Sequence, residues 1–531
     1  MNKNYKIAII GGGTAGWLCA AWISKKFPNI DLTLIESPQI PKIGVGESVT
    51  PHVAHFFNLL GIKEKDWMQK TGAIHKYANK FIDWKTGNGE TEYFSFSYPT
   101  TVDLLYSNNP YVTTKEQLQF NANSVRTTDT MLRLLDQGKF NKFDKHFNSQ
   151  FHYMENNTSP YSDNNEYLLN PVWSWAQHIN ADLAGDYARD YIAIPSGTTH
   201  IKSLVQGVIK NGDDVKAVKL QDGREIEANM FIDASGFHRI LTKDWKFKEY
   251  TDNPINRAWV CQVEYQDPEK EMVNYTQSIA KKEGWLFKIG LYHRMGTGYC
   301  FGSDFISEDR ALEDYDNMID AKLGSPRLIK WEPKRLETMA KGNTVAIGLS
   351  AGFAEPMEAN ALYIIFNSIQ QLDSVLTNYF SRNVLNFFDY NERVGYCIDD
   401  IAEFVLAHYT LSSRDDSNFW REMRDLGIKR DHIGLVYNKY MNKKNTMVAA
   451  MNGYTLFPEY MWGQLAYSWG IDFTKWRNAS YRDLDLELTK LHFEHQERKH
   501  ALISASRMNN YQWLKKNVFQ GVEHNQWKPG V

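Results

Sequence analysis

Lys6-Ile7-Ala8-Ile9-Ile10-Gly11-Gly12-Gly13-Thr14-Ala15-Gly16 is the stretch that decides the fold. Four apolar residues after Lys6 read as a short buried strand. The glycines follow without a break, and Trp17 to Lys26 then has the composition of a helix that stops before Pro28. A second strand, Leu32-Thr33-Leu34-Ile35, ends on Glu36, twenty residues beyond Gly16. Strand, Gly-x-Gly-x-x-Gly, helix, strand and acid in this register form a dinucleotide-binding unit. Gly11 permits the tight turn, Gly13 lets the backbone approach a pyrophosphate, and Gly16 lets the helix pack close to the sheet. Thr14 and Ala15 open the helix whose N-terminus faces the phosphates, and Glu36 is placed to accept a ribose hydroxyl.

Outward from that unit, the bounds are ordinary. A chain of 531 residues exceeds one compact core, so two or three lobes are expected. A net charge of −3 gives no electrostatic case for nucleic acid or an anionic membrane. The four cysteines, Cys19, Cys261, Cys300 and Cys397, are scattered without metal spacing, which suits a reducing compartment and predicts no metal site. Met1 to Tyr5 runs directly into the first strand, and no apolar run has membrane-spanning length, so a cytoplasmic location is expected. Phe, Trp and Tyr make up 14% of the chain, enough to furnish an aromatic pocket as well as a core.

Further along, Gly44-Val45-Gly46-Glu47-Ser48-Val49-Thr50-Pro51 reads as a tight loop lying against a ligand, with a helix from His52 to Leu60 after it. Ala78 to Trp84 and Tyr93 to Tyr98 read as strands, residues 105 to 170 as a helical excursion with long loops, and Trp173 to Tyr191 as helix. Lys216 to Leu220, the Asp222-Gly223 turn and Glu225 to Glu227 predict a hairpin feeding the strand Met230 to Asp233. Two more strands run into small residues, at Asp233-Ala234-Ser235-Gly236 and at Ile347-Gly348-Leu349-Ser350-Ala351-Gly352. There a backbone could pass close to a flat cofactor, with Asp233 and Gly348 as candidate contacts. Three such turns predict a mixed α/β fold, a Rossmann-like parallel sheet joined to a second, antiparallel sheet on the substrate side.

Islands of sequence carry a more specific signal. They are Gly11 to Gly16, Gly44 to Glu47, Lys76-Tyr77-Ala78-Asn79-Lys80-Phe81 ahead of Trp84, Asp233 to Phe237, Gly296 to Phe301, Gly352 to Glu358, and His408 to Arg414 ahead of Phe419-Trp420. In these the chain resembles the flavin-dependent halogenases, the tryptophan halogenases in particular, as far as about Trp420. The resemblance implies a core over residues 1–420 and a helical substrate-side region over 421–531. It implies FAD, delivered reduced by a separate flavin reductase because no second dinucleotide site is visible. It further implies O2 and a halide as co-substrates, and hypohalous acid passing through a tunnel to a lysine beside an electron-rich aromatic. By the match, Lys76 is that lysine, Glu358 is the carboxylate that supports the cationic ring or takes its proton, and Gly46 and Glu47 join the flavin contacts.

The departures bear on function. The family's Trp-x-Trp-x-Ile-Pro stands here as Trp285-Leu286-Phe287-Lys288-Ile289-Gly290, and its Ser-Thr-Gly after the glutamate stands as Ala359-Asn360-Ala361. Asn360 and Ala361 thus become the candidate halide residues, and alanine there takes positive φ less readily than glycine. Leu349 replaces a polar residue of the late flavin segment. Phe96, Tyr454 and Trp462 are the candidate substrate aromatics. An aromatic monooxygenase, or a flavin-binding protein without catalysis, remain the alternative readings, and a homo-oligomer is a further possibility.

Overall fold

The computed structural model describes residues 5–40, 47–95, 127–169, 174–319, 323–441, 452–472 and 486–522. Gly46, Phe96 and residues 105–126 of the helical excursion lie outside them.

The opening motif forms as its pattern requires. Lys6–Ile10 is a strand with four buried residues in the middle of a six-stranded sheet, flanked on both sides. A strand covered on both faces is a continuous apolar run. In order across the sheet come Ala340–Lys341, Thr344–Ala346, Met230–Asp233, Lys6–Ile10, Asp31–Glu36 and Thr199–Lys202. All pairings are parallel except the first. The register pairs Ile10 with both Ile35 and Asp233, so the glycine turn and Ala234-Ser235-Gly236 leave the sheet at the same edge. The helix Thr14–Lys26 packs on the face of the sheet that carries Ile7 and Ile9, and the expected hairpin, Asp214–Leu220 against Glu225–Glu227, packs on the other, against Ala8 and Ile10.

A second sheet has seven strands, in the order Arg327–Lys330, Arg257–Val263, Met295–Phe301, Gly284–Gly290, Tyr275–Lys281, Ala78–Ile82 and Thr91–Ser95. It is antiparallel save for one pair, Tyr275–Lys281 with Ala78–Ile82, which is parallel. A small third sheet places Ala176–Ile179 between Glu47–Ser48 and Ile74–Lys76. Here the helix expected over Trp173 to Tyr191 is corrected: Ala176–Ile179 is a strand, and helix begins at Ala181. All four strand residues are buried, so neither alternation nor helical periodicity marks the segment.

Long helices follow. Asn360–Arg382 and Phe388–Thr410, with 23 residues each, pack against one another and lead into Asn418–Lys429, His432–Met441, Glu459–Ser468, Leu486–Ala505 and Asn510–Asn517. One buried apolar cluster takes in Ile9 and Trp17 of the first unit together with Trp462, Phe493 and Trp513 of these helices.

Candidate active site

A cavity of about 300 Å³ opens where the parallel strands end, lined among others by Gly11, Gly12, Gly13, Thr14, Ala15 and Glu36. Its floor depends on missing side chains. At Gly11, with φ +117°, a Cβ would stand 2.3 Å from the Ala234 carbonyl oxygen, and at Gly12 it would overlap the Glu36 side chain. At Gly13, by contrast, a Cβ would meet nothing within 4 Å, because that position faces the open cavity at the helix N-terminus. No acidic residue stands in the helix's first turn. A phosphate-sized space before unpaired amides is what a dinucleotide requires, and the residues fit one. Glu36 reaches this cavity while accepting a 2.9 Å hydrogen bond from His200 Nε2. Gly16 lies behind the wall, where its lack of a Cβ admits the Gly11 carbonyl, and Gly348, at φ +60°, packs against Ala15 and Ile365.

Asp233 sits differently from the expectation of a cofactor contact. It is fully buried outside the cavity lining, and its carboxylate accepts bonds from the amides of Ser235, Leu241 and Thr242 and the hydroxyls of Ser235, Thr242 and Ser350. Its work is to hold the Ser235–Thr242 turn and the Gly348–Ser350 turn against each other.

A second cavity of about 170 Å³ adjoins the first; Glu47, Phe237, Leu349 and Ala361 line both. Its walls are mainly apolar, with Val260, Trp285, Phe287, Ile289, Trp331 and Phe353. The altered tryptophan motif therefore faces this space through Trp285 and Phe287, and Phe287 lies over Gly298, where a Cβ would stand 2.4 Å from its ring. The polar liners gather at one end: Ser48, Asn79, Thr276, Ser278 and Glu358.

That end is where the chain passes from the small sheet into the large one. Lys76 closes the strand Ile74–Lys76, and Asn79 lies in Ala78–Ile82, in register with Thr276. Lys76 is 0% exposed; its ammonium donates to Ser48 Oγ and, at 3.3 Å, to the Val49 carbonyl. Burial holds its pKa well below the ordinary lysine value, and the Glu358 charge opposes that fall. Glu358 is buried too. One carboxylate oxygen accepts from Asn79 Nδ2, and the other lies 3.4 Å from His408 Nε2. His408 is enclosed by Phe81, Phe94, Phe404 and Trp469. Glu47, half-buried between the cavities, is pushed up to about 7 by burial and by the Asp182 charge.

Glu358 stands on a strained turn. Its φ is +64° and that of Ala359 is +60°, the left-handed region that residues with a Cβ enter at a cost of about 1–3 kcal/mol. The strain expected of Ala361 thus falls two and three residues earlier: Ala361 is inside the helix Asn360–Arg382 and lines both cavities. Asn360 braces the turn, donating from Nδ2 to the carbonyls of Glu355 (2.8 Å) and Met357 (2.6 Å). Glu355, fully buried, accepts from the Tyr409 hydroxyl, and burial raises it to about 8.

Of the expected substrate aromatics, Tyr454 lies under the Arg393 guanidinium and lines neither cavity. Trp462 is buried edge-on to Phe404, one ring removed from His408. Sequence reasoning passed over Ser48, Thr276 and His178. Asn79 and His408 stood inside the islands without a role, and buried polar residues there were the available signal.

A glycine-lined cavity at the end of a parallel sheet, opening into an apolar cavity of a second sheet, defines a flavoprotein-type α/β enzyme. The tryptophan halogenase from Shewanella frigidimarina NCIMB 400 has this fold, with a TM-score of 0.80 at 24% identity over 98% of this chain and 99% of that one. The chain belongs to the tryptophan halogenase family, whose model matches residues 6–480. Its relatives include tryptophan 7-halogenase RebH of Lentzea aerocolonigenes, 31% identical over 441 residues and 79% of each chain. Tryptophan 7-halogenase KtzQ of Kutzneria sp. (strain 744) is 31% identical over 437 residues, 80% of this chain and 79% of its own. Among the described residues, no helix is long and apolar enough to cross a membrane and no cluster has the makings of a metal site.

Proposed function

We propose that the chain halogenates an electron-rich aromatic at the Lys76–Glu358 end of the second cavity. The observation that carries this reading is the continuity of the two cavities through the shared wall of Glu47, Phe237, Leu349 and Ala361, with Glu358 in the lining of the second and Lys76 buried behind its lining residue Ser48. Bound in the first cavity, reduced FAD would, with O2, supply the chemistry that oxidises halide to hypohalous acid. Gly11, Gly13, Thr14, Ala15 and Glu36 would hold it, as would Glu47 and, from the sequence match, Gly46.

The apolar walls exclude water, which keeps hypohalous acid from escaping and strengthens each charge at the polar end. Lys76 donates a hydrogen bond to the hydroxyl oxygen of hypohalous acid, so that the halogen faces the ring and the departing oxygen is protonated as it leaves. Glu358, held by Asn79, supports the positive charge that develops on the ring and takes the proton from the substituted carbon. Atoms balance as aromatic C–H plus hypohalous acid to aromatic C–halogen plus water. The amides that open the helix at Asn360 and Ala361 provide a halide site at the boundary of the two cavities. On this reading the region 421–531 serves the substrate side, and a separate flavin reductase delivers the reduced cofactor.

The test supplies reduced FAD, O2, one halide at a time and a panel of indoles and phenols, with products identified by mass. Halogenated product supports the reading. Hydroxylated product instead would turn it toward a monooxygenase, and no product with flavin bound toward a non-catalytic role.

A further inference from the structure

One face of the seven-stranded sheet lines the second cavity. Asn79 is in register there with Thr276, and Ser278 with Phe287, so their side chains share that face. Asn79 is an amide in a mainly apolar lining, and it is only 1% exposed. Its two ends are not equivalent. A carboxylate accepts and does not donate, so the amide nitrogen Nδ2 is the end that faces Glu358. That leaves Oδ1, which is buried and has no hydrogen-bond partner among the described residues. The neighbouring hydroxyls are already engaged: Thr276 Oγ1 donates to Ser48 Oγ at 2.8 Å and lies 2.9 Å from His178 Nε2. A buried acceptor left over in a cavity wall calls for a donor from the cavity's occupant.

The chemistry beside Glu358 says which donor fits. In the reaction proposed above, the group next to that carboxylate is an aromatic ring becoming cationic. Rings that react readily with hypohalous acid owe this to a heteroatom that feeds electrons into them. In an indole or aniline that atom is a nitrogen carrying N–H, and in a phenol it is an oxygen carrying O–H. As the halogen adds to carbon, positive charge moves onto the heteroatom, and its hydrogen becomes a stronger donor. An oxygen held against that hydrogen therefore gains most in the transition state. The heteroatom keeps its proton throughout; the proton that Glu358 takes comes from the substituted carbon.

We propose that Asn79 is a specificity-determining residue: its Oδ1 accepts a hydrogen bond from the ring N–H or O–H of the aromatic substrate while its Nδ2 holds Glu358. One amide then sets the activating heteroatom and the base at a fixed separation, and the carbon offered to Glu358 is chosen by its distance from that heteroatom. The proposal rests on the halogenation reading and narrows its substrate class to aromatics with a donor on the activating atom.

The experiment uses two pairs of probes that differ by one methyl group, indole with 1-methylindole and phenol with anisole. The methyl removes the donor and leaves the ring electron-rich. Dissociation constants are measured by calorimetry on the full chain, and kcat/KM with reduced FAD, O2 and bromide. For each pair the preference for the donor-bearing member is compared between the wild type and Asn79→Leu, which is close in size and accepts nothing. The bulk of the methyl, the intrinsic reactivity of each ring and the lost bond to Glu358 weigh on both sides of that comparison and cancel. The preference should shrink in Asn79→Leu by about two- to tenfold in binding and by about ten- to hundredfold in kcat/KM, the ranges for a neutral and a charge-assisted hydrogen bond. Asn79→Ala serves as the second variant if Asn79→Leu does not fold. Preferences that the variants leave unmoved overturn the proposal, and so does a wild type that binds neither pair. Donor-dependent binding that Asn79→Leu removes, with no halogenated product from any probe, would sink the halogenation reading and leave the acceptor standing. Halogenation of both members of a pair with unmoved preferences would do the reverse, so the two failures are told apart.

Discussion

The glycine-lined cavity and the Lys76–Glu358 end share a wall, yet they are built by opposite means. The first is made largely of backbone at its base: a turn, a helix N-terminus and spaces where side chains are missing, with Ile10 to Ala15 as an unbroken stretch of its lining. The second is made of buried side chains drawn from separate stretches: Ser48, Lys76, Asn79, His178, Thr276, Glu358 and His408. A backbone site tolerates change outside its glycines and is disturbed by a Cβ at Gly11 or Gly12, where one would collide. A side-chain site keeps its shape when a charge is removed and loses its chemistry.

The sharpest way to break this contrast is Lys76→Ala. Halogenation measured by product mass should fall by at least about 10²-fold, the range for a positioned proton donor, while retained flavin, read by absorbance, should be unchanged. Glu358→Gln keeps the shape of the Asn79 contact and should cost about 10²-fold in the same assay, by removing the charge that supports the ring. Halogenation at the wild-type rate in either variant would mean that free hypohalous acid reacts without the buried pair.

The converse attack is Gly11→Ala. A methyl group would stand 2.3 Å from the Ala234 oxygen on a backbone at φ +117°. A strain of about 1–3 kcal/mol predicts a flavin affinity weakened by about tenfold or more, measured by fluorescence quenching, with any flavin-loaded fraction still halogenating. Flavin affinity equal to the wild type would show that the turn is not the cradle.

The same contrast decides what could be read without coordinates. The strand, glycines, helix and Glu36 occupy consecutive positions whose spacing is itself the physical requirement, so the parallel sheet and its cavity were legible. So was the Asp222-Gly223 hairpin, because its turn is local. Lys76 and Glu358 were reached by resemblance alone, since nothing near Lys76 in sequence announces Ser48 or His178. The Ala176–Ile179 strand, which carries His178, hid because it is buried throughout and so shows no period. Asp233 was read as a ligand contact because it ends a strand beside a glycine turn; only the fold reveals that its oxygens are occupied by backbone amides and hydroxyls. The strained backbone was expected at Ala361 and lies at Glu358 and Ala359, since the helix starts one residue before Ala361.

Between the two constructions sits Glu355, whose carbonyl is held by Asn360 and whose carboxyl is buried against Tyr409. Its folded value of about 8 lies above the ordinary 4.5, so the folded state binds this proton more tightly than the unfolded one. Stability from this group is therefore full below about 4.5 and lost progressively as pH rises through about 8. Glu355→Gln, which imitates the protonated acid, should gain on the wild type across that window, by on the order of 1–3 °C in Tm. A Tm difference that stays constant from pH 5 to 9 would contradict the buried, proton-holding carboxyl.

The smallest expected effect concerns the residue that belongs to both cavities. Ala361 lies in the first turn of the helix Asn360–Arg382, and its methyl lines the flavin-side and substrate-side spaces alike. A halide held by the amides of that turn must shed water, and chloride, the smallest and most strongly hydrated of the three candidates, needs the most donors in exchange. It is also the hardest to oxidise. With a methyl where the family has glycine, fewer donors can close around the ion, a loss that weighs less on bromide and iodide because they release water readily and are better nucleophiles. Bromide or iodide turnover should therefore exceed chloride turnover on one fixed substrate. Ala361→Gly should raise the chloride share by about two- to tenfold, the scale of roughly half to one hydrogen bond, at little cost elsewhere, since helical φ suits both residues. The measurement is a competition at equal halide concentrations, with products counted by mass. Chlorinated product in the majority for the unaltered chain, or a share that does not move in Ala361→Gly, would show that the methyl does not shape the halide site. The boundary between the two cavities would then be set by Glu47, Phe237 and Leu349 alone.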